Sequence, residues 1–244
     1  MPVPKKVAQR ISEEISESFA RLRRRFLGGG DKQLQIAWQP HDNLAAIYRQ
    51  AAKQAGGIPL KETQQGLEEI AAAYLDGVEA RLRSGVLAAV GSATKSPEGI
   101  DEAVLGAELG KLWDRAHTDI AATLDSEVQR ARQTGALDGI VQSSAAMGVE
   151  DPTVFWIPVR DDILCDECKR LHLTGGLASK PRVWKLSQVS SGYHVRGEDK
   201  PSHSGLHPHC RCTLTMCPPG FGFKGQALTY IGPDHDEYAA QQGA

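Results

Sequence analysis

Ile163-Leu164-Cys165-Asp166-Glu167-Cys168-Lys169 and, further along, Leu206-His207-Pro208-His209-Cys210-Arg211-Cys212 are the stretches on which the fold turns. Each carries a pair of soft donors two residues apart, so the array reads C-x2-C-x38-H-x2-C. At that spacing two tight turns can bring four ligands to one tetrahedral ion. Three thiolates and one imidazole form the closed shell of a structural zinc, whereas a catalytic zinc keeps a position for water. The ligands read here are Cys165, Cys168, His207 and Cys210, with Cys212 as an alternate. A disulfide, or thiols without a ligand, are the competing readings. A redox pair fits poorly, because no thioredoxin-like βαβ pattern surrounds the first knuckle. Cys217, before Pro218-Pro219-Gly220, reads as a bystander, and His172, His194, His203 and His235 read as loop residues facing solvent.

All five cysteines of the 244-residue chain lie between Cys165 and Cys217. An odd count packed into one segment argues for metal or thiol chemistry over a secreted disulfide scaffold. The stretch ahead of it is helical in pattern. Ile11, Ile15, Phe19, Leu22 and Phe26 mark one helix face before Gly28-Gly29-Gly30. A short helix is expected from an Asp42 cap through Leu44, Ile47, Tyr48 and Ala51. Another, from about Lys61 to Val90, carries Leu67, Ile70, Tyr74, Val78 and Leu82. A long one follows Ser96-Pro97 and is capped at Gly135, and a shorter one covers Leu137 to Met147. At Asp151-Pro152 the texture turns β-branched and aromatic in Val154-Phe155-Trp156-Ile157. The expected organisation is therefore an α-helical region over 1–150, a small Cys/His-rich α+β module over 151–232 stabilised by a zinc-type cluster, and a flexible tail over 233–244. Such a module has too little apolar sequence to hold itself together by burial alone, which is where a metal staple helps.

Net charge is −2 and charged residues make up 24% of the chain, so bulk charge singles out no partner. No apolar run is long enough to cross a bilayer, and the N-terminus has no signal-peptide core, so a soluble, non-exported chain with no membrane partner is expected. Arg21-Leu22-Arg23-Arg24-Arg25 is the local exception. Arg21, Arg23, Arg24 and Arg25 are candidates for contact with DNA or an acidic partner, against the plainer reading of a solvated helix face with Glu17 and Arg21 at i,i+4. A treble-clef nuclease needs a His/Asn/His site, and the only asparagine is Asn43, far upstream. Gly28-Gly29-Gly30-Asp31-Lys32 lacks P-loop spacing.

Glu127, Gln133-Thr134-Gly135, Trp156, Arg160-Asp161-Asp162-Ile163-Leu164-Cys165-Asp166-Glu167-Cys168 and Leu206-His207-Pro208-His209-Cys210-Arg211-Cys212-Thr213-Leu214 together resemble the phage head morphogenesis family, the Mu F-like minor head proteins of tailed bacteriophages. The resemblance spans roughly 115–216 and leaves the helical N-terminus uncovered. His209 stands where the family usually has Asn, which adds a further alternate ligand. The resemblance implies a non-enzymatic virion component, present in multiple copies and acting with the portal and the major capsid or scaffold proteins in capsid assembly and DNA packaging. It would stand in the host cytoplasm during assembly and in the head or portal region of the virion afterwards. The alternatives are a metal-dependent nuclease or toxin-like enzyme fused to a head module, and a zinc-stabilised DNA-binding protein. Asp161 and Asp162 are expected to shape the turn into the knuckle through local hydrogen bonds.

Overall fold

A computed structural model describes residues 9–10, 13–21, 44–93, 101–192, 194–203, 205–207 and 210–243. The glycine run at 28–30, the Asp42 cap, Ser96-Pro97, Arg23, Arg24, Arg25 and His209 lie outside them. The N-terminal part is rich in helix: α1 over 13–21, α2 (Leu44–Gln54), α3 (Lys61–Ala93) and α4 (Glu102–Ala146). A small sheet region follows, with β1 (Thr153–Ile157), α5 (Asp166–His172), β2 (Val183–Lys185), β3 (Thr213–Cys217), the hairpin β4 (Phe221–Lys224) and β5 (Ala227–Tyr230), and α6 (Glu237–Gln242).

The chain divides into two compact units, and the division does not fall at residue 150. One unit takes residues up to 44 together with 65–125; the other takes 45–64 and everything from 126 onward. In the first, Phe19 of α1 packs with Val78 and Leu82 of α3 and Ala116 of α4, flanked by Ile15 and Ile120. The buried stripe of α3 is Leu67, Ala71, Leu75, Val78 and Leu82, at the steps of four and three that keep one helical face. Ile70 and Tyr74, expected on it, are exposed. Asp101 caps α4, its carboxylate accepting the N–H groups of Ala103 and Val104 at 3.1 and 3.0 Å.

The second unit explains why 126–146 joins the Cys-rich part. Gly135 does not cap a helix; α4 runs through it to Ala146. A Cβ at Gly135 would come within 2.9 Å of the Ala51 side chain, and one at Gly139 within 2.5 Å of the Ala52 carbonyl oxygen. Both glycines are there because α2 lies against α4 backbone to backbone. Gln142 then holds the chain after α2, accepting the Ile58 N–H at 2.8 Å and donating to the Ile58 carbonyl at 2.9 Å.

The sheet is antiparallel in the order β2-β1-β3, with Val154 opposite Trp184 and Met216, and Phe155 opposite Val183 and Thr215. Alternation sends Val154, Trp156 and Leu214 into one core with Ala136 and Ile140 of α4 and Leu171 of α5. Phe155, Val183 and Cys217 enter a second core with Phe223 of the hairpin. Both sheet faces are thus covered, which is why β1 reads as a continuous apolar run. The end of the chain is not a loose tail: Asp236 caps α6 through the N–H groups of Tyr238 and Ala239, and Glu237 is 4% exposed. Buried Glu237 ties that end to the hairpin and to β2's approach, accepting from the Phe223 N–H at 3.3 Å and pairing with Lys180 at 3.4 Å.

Candidate metal centre

Cys165 is the N-cap of α5, and its sulfur accepts the N–H of Cys168 at 3.3 Å. The helix's first turn therefore presents both thiols to one side. The second pair comes from the turn ahead of β3, where the Cys210 N–H donates to the His207 carbonyl at 3.1 Å. His207 Nε2 lies 3.2 Å from Cys165 Sγ and 3.3 Å from Cys168 Sγ, and Cys168 Sγ is 3.9 Å from Cys210 Sγ. A tetrahedral ion with sulfur at about 2.3 Å and nitrogen at about 2.05 Å requires ligand edges of roughly 3.8 Å (S to S) and 3.5 Å (S to N). The observed separations are of that size.

Two triads of ligand atoms gather, Cys165/Cys168/His207 and Cys168/Cys210/Cys212, with Cys168 in both. Cys210 and Cys212 join the cluster through Cys168, so the ligands read from the sequence fall into two triads that share that thiol, and His209 lies outside the described residues. Cys168, Cys210 and Cys212 are buried, Cys165 is half-buried and His207 is exposed. Crowding of the inner thiols splits their acidities. Hydrogen bonding to Cys210 pushes the Cys168 thiol up, while hydrogen bonds from Cys168 and Cys212 pull Cys210 well below its ordinary value, so Cys210 is the first of them to become a thiolate. A soft donor set of this composition can hold a metal ion.

The shell around the cluster is built from residues with sharply different roles. Asp161 serves the local turn through the Ile163 N–H, and its carboxylate also reaches Arg211, next to Cys210, with two bonds of 2.7 and 2.8 Å. Its pKa is lowered by that guanidinium. Arg160 instead donates to the carbonyls of Leu177 and Ser179. Glu167, inside the first knuckle, accepts from Arg170, His194 and the Gly197 N–H, which holds its carboxyl down at about 2. The loop after β2 is pinned to α5 through that carboxylate and through Arg170, which donates to Asp199 and to the Glu198 carbonyl.

Two histidines expected in solvent are buried. His194 has a fully covered side chain, 2.8 Å from Glu167. His172 is 0% exposed, stacked on Trp156 at 4.9 Å with the rings 7° apart, and neither of its ring nitrogens has a hydrogen-bond partner among the described residues. Burial holds its pKa down at about 4. The periodicity of loop residues could not reveal either, because Trp156 and Glu167, the residues that cover them, come from other elements of the chain. Cys217 is also buried, its thiol pushed up to about 12 by desolvation, in keeping with a bystander. Arg21 is exposed and donates to Ser18 Oγ at 3.4 Å rather than pairing with Glu17.

Sequence reasoning missed the most telling structural group. Gln133 of α4, 0% exposed, accepts the Leu214 N–H at 3.1 Å and donates to the Cys212 carbonyl, which also receives Gln129 Nε2 at 2.7 Å. Its amide does for β3 what a neighbouring strand would do. Glu127 and Arg130 form a buried ion pair beside it. The available signal was polar residues clustered on an apolar helix between Leu124 and Ile140. No family model, curated protein or solved structure matches the chain.

Proposed function

We propose that the chain is a structural minor head protein of a tailed bacteriophage, acting with the portal during capsid assembly and DNA packaging, and that its Cys/His cluster holds a structural zinc ion. The supporting observation is convergence. The separate stretches that carry the resemblance to Mu F-like proteins, Glu127 to Gly135, Trp156, Arg160 to Cys168 and Leu206 to Leu214, meet in one assembly: a Cys/His cluster, the Asp161–Arg211 bridge beside it, and the Gln133 clamp on the strand leaving it. In this reading zinc is held by Cys165, Cys168, His207 and Cys210, with Cys212 able to replace one of them. The metal supplies a staple, not a reaction. The chain's own residues do the remaining work: Cys168 bridges the two turns, and Gln129 and Gln133 anchor the module to α4. The protein is then a non-enzymatic virion component that joins portal and capsid or scaffold subunits in several copies.

The test is elemental analysis of purified protein together with co-elution against the portal protein of the same virus. About one zinc per chain is expected, lost along with C-terminal folding in Cys165→Ser or Cys210→Ser. Metal-free protein whose melting is the same in both variants would remove the zinc from this reading. Failure to co-elute with either portal or capsid protein would remove the head assignment.

A further inference from the structure

β3 is the edge strand of its sheet, and half of its backbone points away from β1. In an antiparallel ladder hydrogen-bonded and non-bonded pairs alternate. Gln133 takes the N–H of Leu214, so Leu214 and, two residues on, Met216 turn their backbone groups outward. Gln133 and Gln129 satisfy only the start of that edge. The N–H and carbonyl of Met216 have no hydrogen-bond partner among the described residues. An open strand edge is a template for another extended chain unless it is covered.

This edge opens onto a cleft of about 510 Å³ in the same compact unit. Thr213 to Met216 form one side of it, and the small apolar side chains of Ala51 in α2, Ala55 in the turn after α2 and Ala136 in α4 line the other. Arg132 stands at its rim, exposed, with Gln129 Oε1 at 3.2 Å as its hydrogen-bond partner and no carboxylate in ion-pair reach among the described residues. Unpaired backbone along one wall, small apolar side chains along the other and an unneutralised cation at the rim specify the occupant's chemistry.

We infer that the β3 edge is a docking site for an extended segment of a partner protein, which adds as a strand beside Met216, places small apolar side chains against Ala51, Ala55 and Ala136, and sets an acidic residue on Arg132. Main-chain pairing supplies affinity and the alternate side chains supply selectivity, as in other strand additions. A second copy of this chain is a poor fit, because its own β3 is walled by its own α2 and α4, and two recessed edges cannot meet. The site does not depend on what the cysteines bind.

The test uses the isotope-labelled full chain and a blocked synthetic peptide of alternating valine and threonine with one central glutamate. Titration should shift the Met216 amide resonance and slow its hydrogen exchange. The same peptide N-methylated on the strand-pairing side should bind about tenfold more weakly, since it cannot donate. Arg132→Glu, a change at an exposed position, should reverse the preference toward a peptide with lysine in place of glutamate. No response of the Met216 amide at about 1 mM peptide, or equal binding of the N-methylated peptide, would overturn the inference. So would concentration-dependent dimerisation that protects the Met216 amide, which would hand the edge to a second copy.

Discussion

Replacing Gln133 tests whether a single side chain ties the Cys/His module to α4. The side chain is fully buried and makes one bond on each side of the peptide units leading into β3, with Leu214 N–H and with the Cys212 carbonyl. The two are not equivalent. Cys212 keeps Gln129 as a donor at 2.7 Å when Gln133 is removed, whereas Leu214 N–H loses its partner and stays buried. A buried unsatisfied N–H costs about 1–3 kcal/mol. Gln133→Met keeps the volume and should lose about that much. Gln133→Ala adds a cavity and should lose about 2–4 kcal/mol in total. Gln129→Ala leaves every backbone group paired and should cost about 1 kcal/mol or less. Urea unfolding followed by the fluorescence of Trp156 and Trp184 measures the series, and amide exchange at Leu214 reads the same event locally. If Gln133→Met is no more costly than Gln129→Ala, the clamp does not carry the strand and the reasoning fails.

The glycines of α4 should respond in opposite directions. Gly139→Ala, aimed at the Ala52 carbonyl, should lose about 1–3 kcal/mol through overpacking, while Gly110→Ala, with nothing within 4 Å, should gain about 0.5–1 kcal/mol from helix propensity; thermal melts distinguish them. His172 should make stability fall with acid. Its folded pKa, about 4, lies below the unfolded value of 6.5, so the unfolded chain binds the extra proton between those limits and stability is lost as pH drops through 6.5 toward 4. From pH 7 to pH 5 the loss attributable to this group is about 2 kcal/mol. His172→Phe, which can keep the stack on Trp156, should remove that part of the slope in denaturation measured at both pH values; an unchanged slope would rule His172 out as its source.

Much of this protein was legible because much of it is local. The C-x2-C and H-x2-C spacings are properties of single turns, and the structure gathers Cys165, Cys168 and His207, and Cys168, Cys210 and Cys212, into two triads. The helices from Leu44 and Lys61 and the strand at Val154 follow from periodicity that a few neighbouring residues determine. The misreadings share one cause. Gly135 reads as a stop because glycine ends helices, yet here it admits the backbone of α2, a partner more than eighty residues away in sequence. His172 and His194 read as solvated because short polar loops usually are, yet stacking on Trp156 and pairing with Glu167 bury them.

The helical N-terminal part, the small sheet region and the soft-donor residues are written in the order of the amino acids, since each depends on residue type and short-range spacing. That α2 and the end of α4 belong with the cysteine-rich part, that Gln133 stands in for a missing strand, and that the rest of the β3 edge is open follow from packing in three dimensions. Those outcomes rest on which backbone polar groups are buried and who satisfies them. A hydrogen-bond requirement of that kind is settled by the three-dimensional neighbour and leaves no periodic trace along the chain.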